Sequence, residues 1–346
     1  MRKENWTYRK VKEVCDKASS NIVLNKIENN VGDYALYGAS GFVKGVDFFH
    51  REEPYIGIVK DGSGVGRVDV FPAKSSLVGT MQYILPKKDC LLKYLCYVLQ
   101  SLKLADFVTG AAIPHIYFRD YGECVIPIPP LATQSRIVSE LDLLQSIIDK
   151  QKAQVKELDN LAQSIFYDMF GDPVENEKGW EVKKFGELFK LKSGDGLSTK
   201  SFVEGNVPVY GGNGISGYHN KSNKHGKYII IGRVGVYCGN SRYVNDTFWL
   251  TDNAFELIFS DKLFDYRWLN TLLNALNLTQ YANHAAQPVI SNTGLKDIVA
   301  ITPPLPLQQS FAQKVEAIER QKELINQSIA EVQTLFDSQM DYYFGE

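Results

Sequence analysis

The side chains that most often carry chemistry are sparse in this chain and poorly spaced for it. Five histidines, His50, His115, His219, His225 and His284, form no HExxH or other metal-ligand spacing, and no serine stands in a GxSxG elbow. The five cysteines, Cys15, Cys90, Cys96, Cys124 and Cys238, are odd in number, scattered and outside CxxC spacing. They read as reduced core residues, not as a disulfide framework or a zinc site. Two glycine-rich pieces, DGSGVG from Asp61 and IGRVGVYCG from Ile231, could hide a phosphate loop. Both lack the P-loop spacing and the helix and acidic residue of a dinucleotide fingerprint, so tight turns between strands suit them better. Adenine methylation would call for a glycine-rich cofactor loop and a DPPY-like tetrapeptide; the double prolines here stand in IPPL and TPPL and read as helix starts. No cluster of carboxylates with a lysine suggests a nuclease. The chain is expected to bind rather than to catalyse, with no metal and no cofactor of its own.

What it binds is suggested by one window. Between residues 205 and 245 there is no Asp or Glu, while Lys221, Lys224, Lys227, Arg233 and Arg242 supply positive charge among Asn213, Tyr218, His219, Asn220, His225 and Tyr237. Phosphate takes cations, and base edges take Asn, Gln, Arg and hydroxyls, so the mixture suits DNA; a solvated loop face is the plain alternative. Net charge is −2, so a global basic signature is missing and the argument is local. Earlier in the chain Lys44, His50, Arg51, Lys60, Arg67 and Lys74 are diluted by Glu52, Glu53, Asp61 and Asp69.

The elements that must position these residues come twice. WTYRKVKEV at Trp6 returns as WEVKKFGEL at Trp180, YGASG at Tyr37 as YGGNG at Tyr210, AAIP at Ala111 as AAQP at Ala285, PPLATQ at Pro129 as PPLPLQ at Pro303, and FGD at Phe170 as FGE at Phe344. The offset is 174 residues at both ends and 173 in the middle. This is a duplicated domain, too long in period for a solenoid, and it implies a target with two similar halves. The fold class expected is α+β: two pseudo-symmetric globular α/β domains, 1–130 and 171–304, separated by two long antiparallel coiled-coil helices, 131–170 and 305–346. The start of the chain lacks the apolar run of a secretory signal, and no stretch approaches a membrane span, so a cytoplasmic protein without membrane contact is expected.

Residues 131–169 contain neither proline nor glycine. In them Leu141, Leu144, Ile148, Gln151 and Val155 continue a seam of spacings four and three, repeated by Val315, Ile318, Lys322, Ile325 and Ile329. At 1.5 Å per residue each helix should be roughly 55–60 Å long. Pairing the polar seam positions Gln151 and Lys322 matches every apolar layer with another and sets Gln134 opposite Gln339, so facing residues are expected to have numbers summing to about 473. In the globular parts, strands are expected over 43–49 and 228–231 and amphipathic helices over 91–102 and 266–276. Because Trp180 follows the first FGD, Trp6 should lie near the final FGE.

The combination of a Trp-led entry, VPVYGGNGISGY, AAQPVISNTGLKDIVAITPPLPLQQ and a long helix, all repeated, resembles the specificity (S) subunit of type I restriction-modification enzymes. AAIPHIYF and TQS depart from the pattern in the first copy. The resemblance covers essentially the whole chain. It implies a sequence-specific DNA-binding subunit with two target recognition domains, each reading one half of a split double-stranded DNA sequence, held apart by the helices. It also implies two methyltransferase (M) subunits that dock on the chain and take S-adenosylmethionine, and restriction (R) subunits that can join. The exposed helix faces and the segments at Ala111 and Ala285 are candidates for that docking. Candidate DNA contacts are Ser40, Lys44, His50, Arg51, Arg67 and His115 in the first domain, and Asn213, Tyr218, His219, Asn220, Lys221, Lys224, Arg233, Arg242 and Gln287 in the second. The rival readings are a non-DNA coiled-coil scaffold with two ligand-binding heads, or an enzyme acting alone.

Overall fold

The computed structural model describes residues 5–110, 114–283 and 288–345. The chain divides into two compact units, Met1–Gln151 with Gln327–Glu346, and Lys152–Asn326. Each unit has its own sheets and its own core, and each contains part of both long helices, Leu131–Phe170 and Leu305–Phe344. Both helices begin directly after a Pro-Pro pair, where the fixed φ of proline is already helical, and the first ends at Gly171, whose φ of +73° only glycine adopts readily.

In the first unit a four-stranded sheet runs in the order Cys15–Ser19, Met81–Pro86, Tyr55–Val59, Val68–Phe71. A three-stranded sheet, Gly41–Val46, Tyr34–Gly38, Ser75–Leu77, is not hydrogen-bonded to it but shares a core with it. In the second unit the corresponding strands form one six-stranded sheet, Lys190–Ser193, Ala254–Ile258, Lys224–Gly232, Ser241–Leu250, Val207–Gly211, Gly214–His219. The difference has a local cause. Ser241–Leu250 is a continuous strand, whereas its counterpart is broken by Pro72, which cannot donate to a ladder, and by Lys74 at φ +52°. A short antiparallel pair ties the entry of each unit to the strand before its long helix, Thr7 opposite Ile128 and Val182 opposite Ile301.

The amphipathic helices form over Leu92–Ser101 and Tyr266–Ala275, and the strand expected at 228–231 forms within Lys224–Gly232, whereas the one expected at 43–49 starts earlier and stops at Val46, as Gly41–Val46, leaving 47–49 outside it. In the first unit the helix places Tyr94, Leu95, Val98 and Leu99 in a core shared with Ile137, Leu141 and Tyr343. In the second, Trp268, Leu269, Leu272 and Leu273 pack with Phe166, Phe170 and Phe311. Trp6 and Phe344 pack on the same core, the neighbourhood the duplication requires. In the second unit Trp180 Nε1 donates to the Phe170 carbonyl at 2.8 Å.

The seam residues are withdrawn from solvent: Leu141, Ile148 and Val315 are buried, and Leu144, Gln151, Val155, Ile318, Lys322, Ile325 and Ile329 are half-buried. Within each unit the two helices run antiparallel, but their register is not the one the sequence suggests. Gln151 does not face Lys322; its Nε2 donates to Ser328 Oγ at 2.7 Å, and Lys322 pairs with Asp159. Facing numbers therefore sum to about 480, one heptad on. Two physical facts explain the slip. A lysine on a seam need not seek a polar layer, because its stem lies along apolar surface while the ammonium reaches sideways. The alignment is also fixed by side chains off the seam of the first helix, Phe166 and Phe170, which pack on Phe311 of the second with ring centroids 5.6 and 5.7 Å apart. Gln134 is likewise not a seam residue opposite Gln339. It is fully buried, its Oε1 accepts from the Leu91 backbone N–H, and its Nε2 donates to the Asp89 and Pro129 carbonyls.

All five cysteines are free thiols, and Cys15, Cys90, Cys96 and Cys238 are buried. Burial pushes Cys15, Cys90 and Cys96 up to about 12, which leaves them as unreactive core residues.

Candidate nucleic-acid interface

The two glycine-rich segments fold into the same turn in both units. Gly62 N–H donates to the Pro114 carbonyl and Gly235 N–H to the Pro288 carbonyl, each at 3.0 Å; Gly66 N–H donates to Val59 and Gly239 N–H to Gly232, each at 2.8 Å. Five of the glycines are left-handed, Gly62 at +82°, Gly64 at +83°, Gly66 at +88°, Gly235 at +86° and Gly239 at +91°. The turns are therefore built by backbone conformation. Their tips face outward in the second unit, where Val236 and Tyr237 are 83% and 47% exposed.

Beside each turn lies the tip of a β-hairpin. In the second unit the strands Val207–Gly211 and Gly214–His219 meet with Gly211 opposite Gly214, presenting Asn213 at the exposed tip. A Cβ on Gly212 would stand 2.8 Å from the Val234 carbonyl oxygen, and one on Gly214 would stand 2.9 Å from Arg242 Nη1. The hairpin tip, the Arg242 guanidinium and the glycine turn thus converge, with no room for a side chain between them. Arg233 leaves the neighbouring strand with its guanidinium 5.3 Å from the Phe255 ring, and its Nη1 reaches Ser193 Oγ at 3.4 Å and the Asp252 carbonyl at 3.3 Å. Tyr218, Asn220 and Lys221 are exposed along the far strand of the hairpin and just beyond it. Among the described residues Lys221, Arg233 and Arg242 make no ion pair with a carboxylate, so their charge is available to an anion.

Two members of the expected set are used internally. His219 is 5% exposed; its Nδ1 accepts the Val203 backbone N–H at 3.0 Å and its ring packs edge-on to Trp249. It is a satisfied core histidine that ties down a loop. Lys224 pairs with Glu256, and the two side chains are only 13% and 16% exposed. Its ammonium also lies 5.4 Å from the Tyr228 ring, so its charge is spent inside the unit. Gln287, and the alanines of both AxxP segments, lie outside the described residues.

In the first unit Ser40 is exposed at the equivalent hairpin tip, and Arg67 Nη1 donates to the Ala39 carbonyl at 3.0 Å. Ser40 and Arg67 line one open cleft of about 350 Å³, whose wall includes Asp69. The other four candidates are dispersed. Lys44 Nζ donates to the Ile27 and Glu28 carbonyls at 3.1 and 2.8 Å, an anchor for a neighbouring turn. Arg51 lies over the Tyr83 ring at 4.6 Å. Burial first, and the adjacent Arg51 charge second, hold His50 below the ordinary histidine range. His115 pairs through Nδ1 with Asp61 and packs tilted against Tyr117 with centroids 4.1 Å apart, closing the base of the glycine turn.

The sequence reading missed Asp69 and the glutamines. Gln308 repeats Gln134, accepting from Asp265 N–H and donating to the Leu263 and Pro303 carbonyls. The available signal was the repeat itself, since both glutamines follow Pro-Pro at the same distance. Among the described residues no group of three His, Cys, Asp or Glu could hold a metal ion, and no helix is long and apolar enough to cross a membrane.

Two similar α/β units, each with a hairpin tip held against an arginine and followed by a long helix, define a duplicated binding protein. The type I restriction modification DNA specificity domain profile matches the chain twice, over residues 3–159 and 177–334, and the chain belongs to that family. It is 28% identical over 263 residues to the type I restriction enzyme EcoprrI specificity subunit of Escherichia coli, covering 70% of this chain and 64% of that one. It is 26% identical over 145 residues to the MjaIX specificity subunit of Methanocaldococcus jannaschii, covering 36% and 34%. The chain thus spans less than two thirds of the length of these relatives. In fold it is similar to the S subunit of a type I restriction-modification system from M. genitalium, with a TM-score of 0.65, 18% identity, and coverage of 99% of this chain and 96% of that one.

Proposed function

We propose that this chain is the DNA specificity subunit of a type I restriction-modification system, in which each unit reads one half of a two-part double-stranded DNA sequence. The observation that carries the reading is the recurrence, in both units of a chain matched twice by the specificity-domain profile, of a hairpin tip set against an arginine beside a glycine turn. Such a tip offers backbone and short polar groups to base edges, and the arginine supplies a charged fork for guanine or phosphate. Because the two tips differ in sequence, the two half-sites differ. The long helices set the gap between the half-sites. The chain is non-catalytic and holds no cofactor. Two methyltransferase subunits dock on it and bring S-adenosylmethionine, restriction subunits join the assembly, and the complex works in the cytoplasm.

Selection of randomised duplexes with the full-length chain, in the complex in which it is isolated, tests this reading. A split consensus with a constant gap is expected, and affinity should fall steeply between 50 and 200 mM salt, by roughly 10³-fold if about six phosphates are contacted. A salt-insensitive complex, or recovered duplexes without a common sequence, would refute it.

A further inference from the structure

We infer that Asp69 is a specificity-determining residue of the first unit, its carboxylate accepting a hydrogen bond from the exocyclic amine of a base in that unit's half-site. The inference rests on the DNA-reading function proposed above. It starts from the strand Val68–Phe71, on which alternation puts Asp69 on the same face as its neighbours Arg67 and Phe71. Its partner across the ladder is Gly57, over which the Phe71 ring lies, so the carboxylate has no polar side chain directly opposite to engage it. That face is the wall of the cleft at the hairpin tip, shared with Ser40 and Arg67.

The carboxylate is uncommitted. Among the described residues it makes no ion pair and no hydrogen bond, although Arg67 stands two residues away on the same face and gives its Nη1 to the Ala39 carbonyl. Burial raises the Asp69 pKa and the nearby Arg67 charge opposes the rise, as expected of an acid standing in a half-desolvated cleft. A carboxylate there repels phosphate, so it serves a DNA-binding surface only where that surface faces base edges. On an edge, an aspartate is an acceptor alone, and the complementary groups are amines, N4 of cytosine above all.

The second unit supports the assignment from the opposite side. At the repeat offset of 173 the residue equivalent to Asp69 is Arg242, and it lies against the equivalent hairpin tip. The ladder positions agree, Asp69 opposite Gly57 and Arg242 opposite Ile230. One frame therefore offers an acceptor in one unit and a donor fork in the other. Arginine at such a place matches the two acceptors of guanine. The exchange makes the two half-sites complementary in hydrogen-bonding sense at one position.

The test compares wild type with Asp69→Asn and Asp69→Ala, each as the full-length chain in its native complex, by sequencing the duplexes selected from a randomised pool, with thermal unfolding run in parallel. Both variants should unfold with wild type and should lose discrimination at a single base pair of one half-site by roughly 10- to 100-fold, leaving the other half-site unchanged. The base pair lost should carry an amine, and Asp69→Asn should tolerate adenine there. Unchanged preference at every position in both variants overturns the inference, as does uniformly tighter binding without a change of preference, which would mark Asp69 as a source of repulsion only. A wild-type complex that selects no two-part sequence refutes the proposed function itself, a separate result.

Discussion

Gln134 and Gln308 show how a single side chain can join a globular unit to a helix. Each is fully buried and spends its amide on three backbone groups: the N–H at the entrance of the short helix, the carbonyl of the loop before it, and the carbonyl of the Pro-Pro pair that starts the long helix. Removing such an amide strands buried donors and acceptors, each costing about 1–3 kcal/mol. Gln134→Leu should therefore destabilise the first unit by roughly 2–4 kcal/mol, and Gln308→Leu the second by a similar amount, while DNA half-site preferences persist at permissive temperature; denaturant unfolding and duplex selection would read the two effects separately. The sequence marked Gln134 as polar on an apolar helix but assigned it to the wrong partner, because two of its three partners lie 43 and 45 residues away and no local pattern encodes them. His219 and Lys224 failed for the same reason. Their polarity was visible in the basic window, whereas the Val203 N–H and the Glu256 carboxylate that consume it were brought there by folding.

At the scale of elements, local pattern succeeded where one element decides its own form. The short helices end within one residue of expectation, and the long helices follow from stretches without glycine and, beyond Pro306 in the first turn of the second, without proline. The sheets were less readable, because whether strands join one sheet or two depends on Pro72 and Lys74 interrupting a single strand in one copy. The glycine turns were identified by elimination, and the structure explains which of their glycines matter most. At Gly66 a Cβ would stand 2.7 Å from the Ala105 backbone nitrogen, and at Gly239 2.5 Å from that of Thr279, whereas at Gly62 and Gly235 nothing lies within 4 Å. All four need positive φ, which costs a non-glycine residue of order 1–3 kcal/mol. Gly66→Ala and Gly239→Ala add a backbone clash to that strain, so they should lower the melting temperature of their unit clearly more than Gly62→Ala and Gly235→Ala do. Equal losses at all four positions would mean that the close approach to the helical segment behind the turn contributes nothing.

For the molecule as a whole, the duplication carried the most information. It foretold two units, the shared core of Trp6 and Phe344 and the antiparallel course of the helices within each unit. It could not set their register, because a heptad pattern repeats under a shift of seven and the choice belongs to Phe166 and Phe170, off the seam, packing on Phe311. The register observed bears on the proposed spacing role of the helices. Gln151 bonds Ser328 and Lys322 bonds Asp159, so a seven-residue insertion in one helix alone moves the partners of one unit out of line. Matched insertions of seven residues, after Lys152 and after Asn326, keep the existing partners of both units in register and lengthen each helix by about 10.5 Å. That length corresponds to roughly three base pairs at 3.4 Å each. The matched variant should fold and recognise both half-sites unchanged while its preferred gap widens, whereas the single insertion should lose stability. Duplex selection across a series of gap lengths would measure this, and a folded matched variant that keeps the original gap would remove the helices from the setting of the spacer.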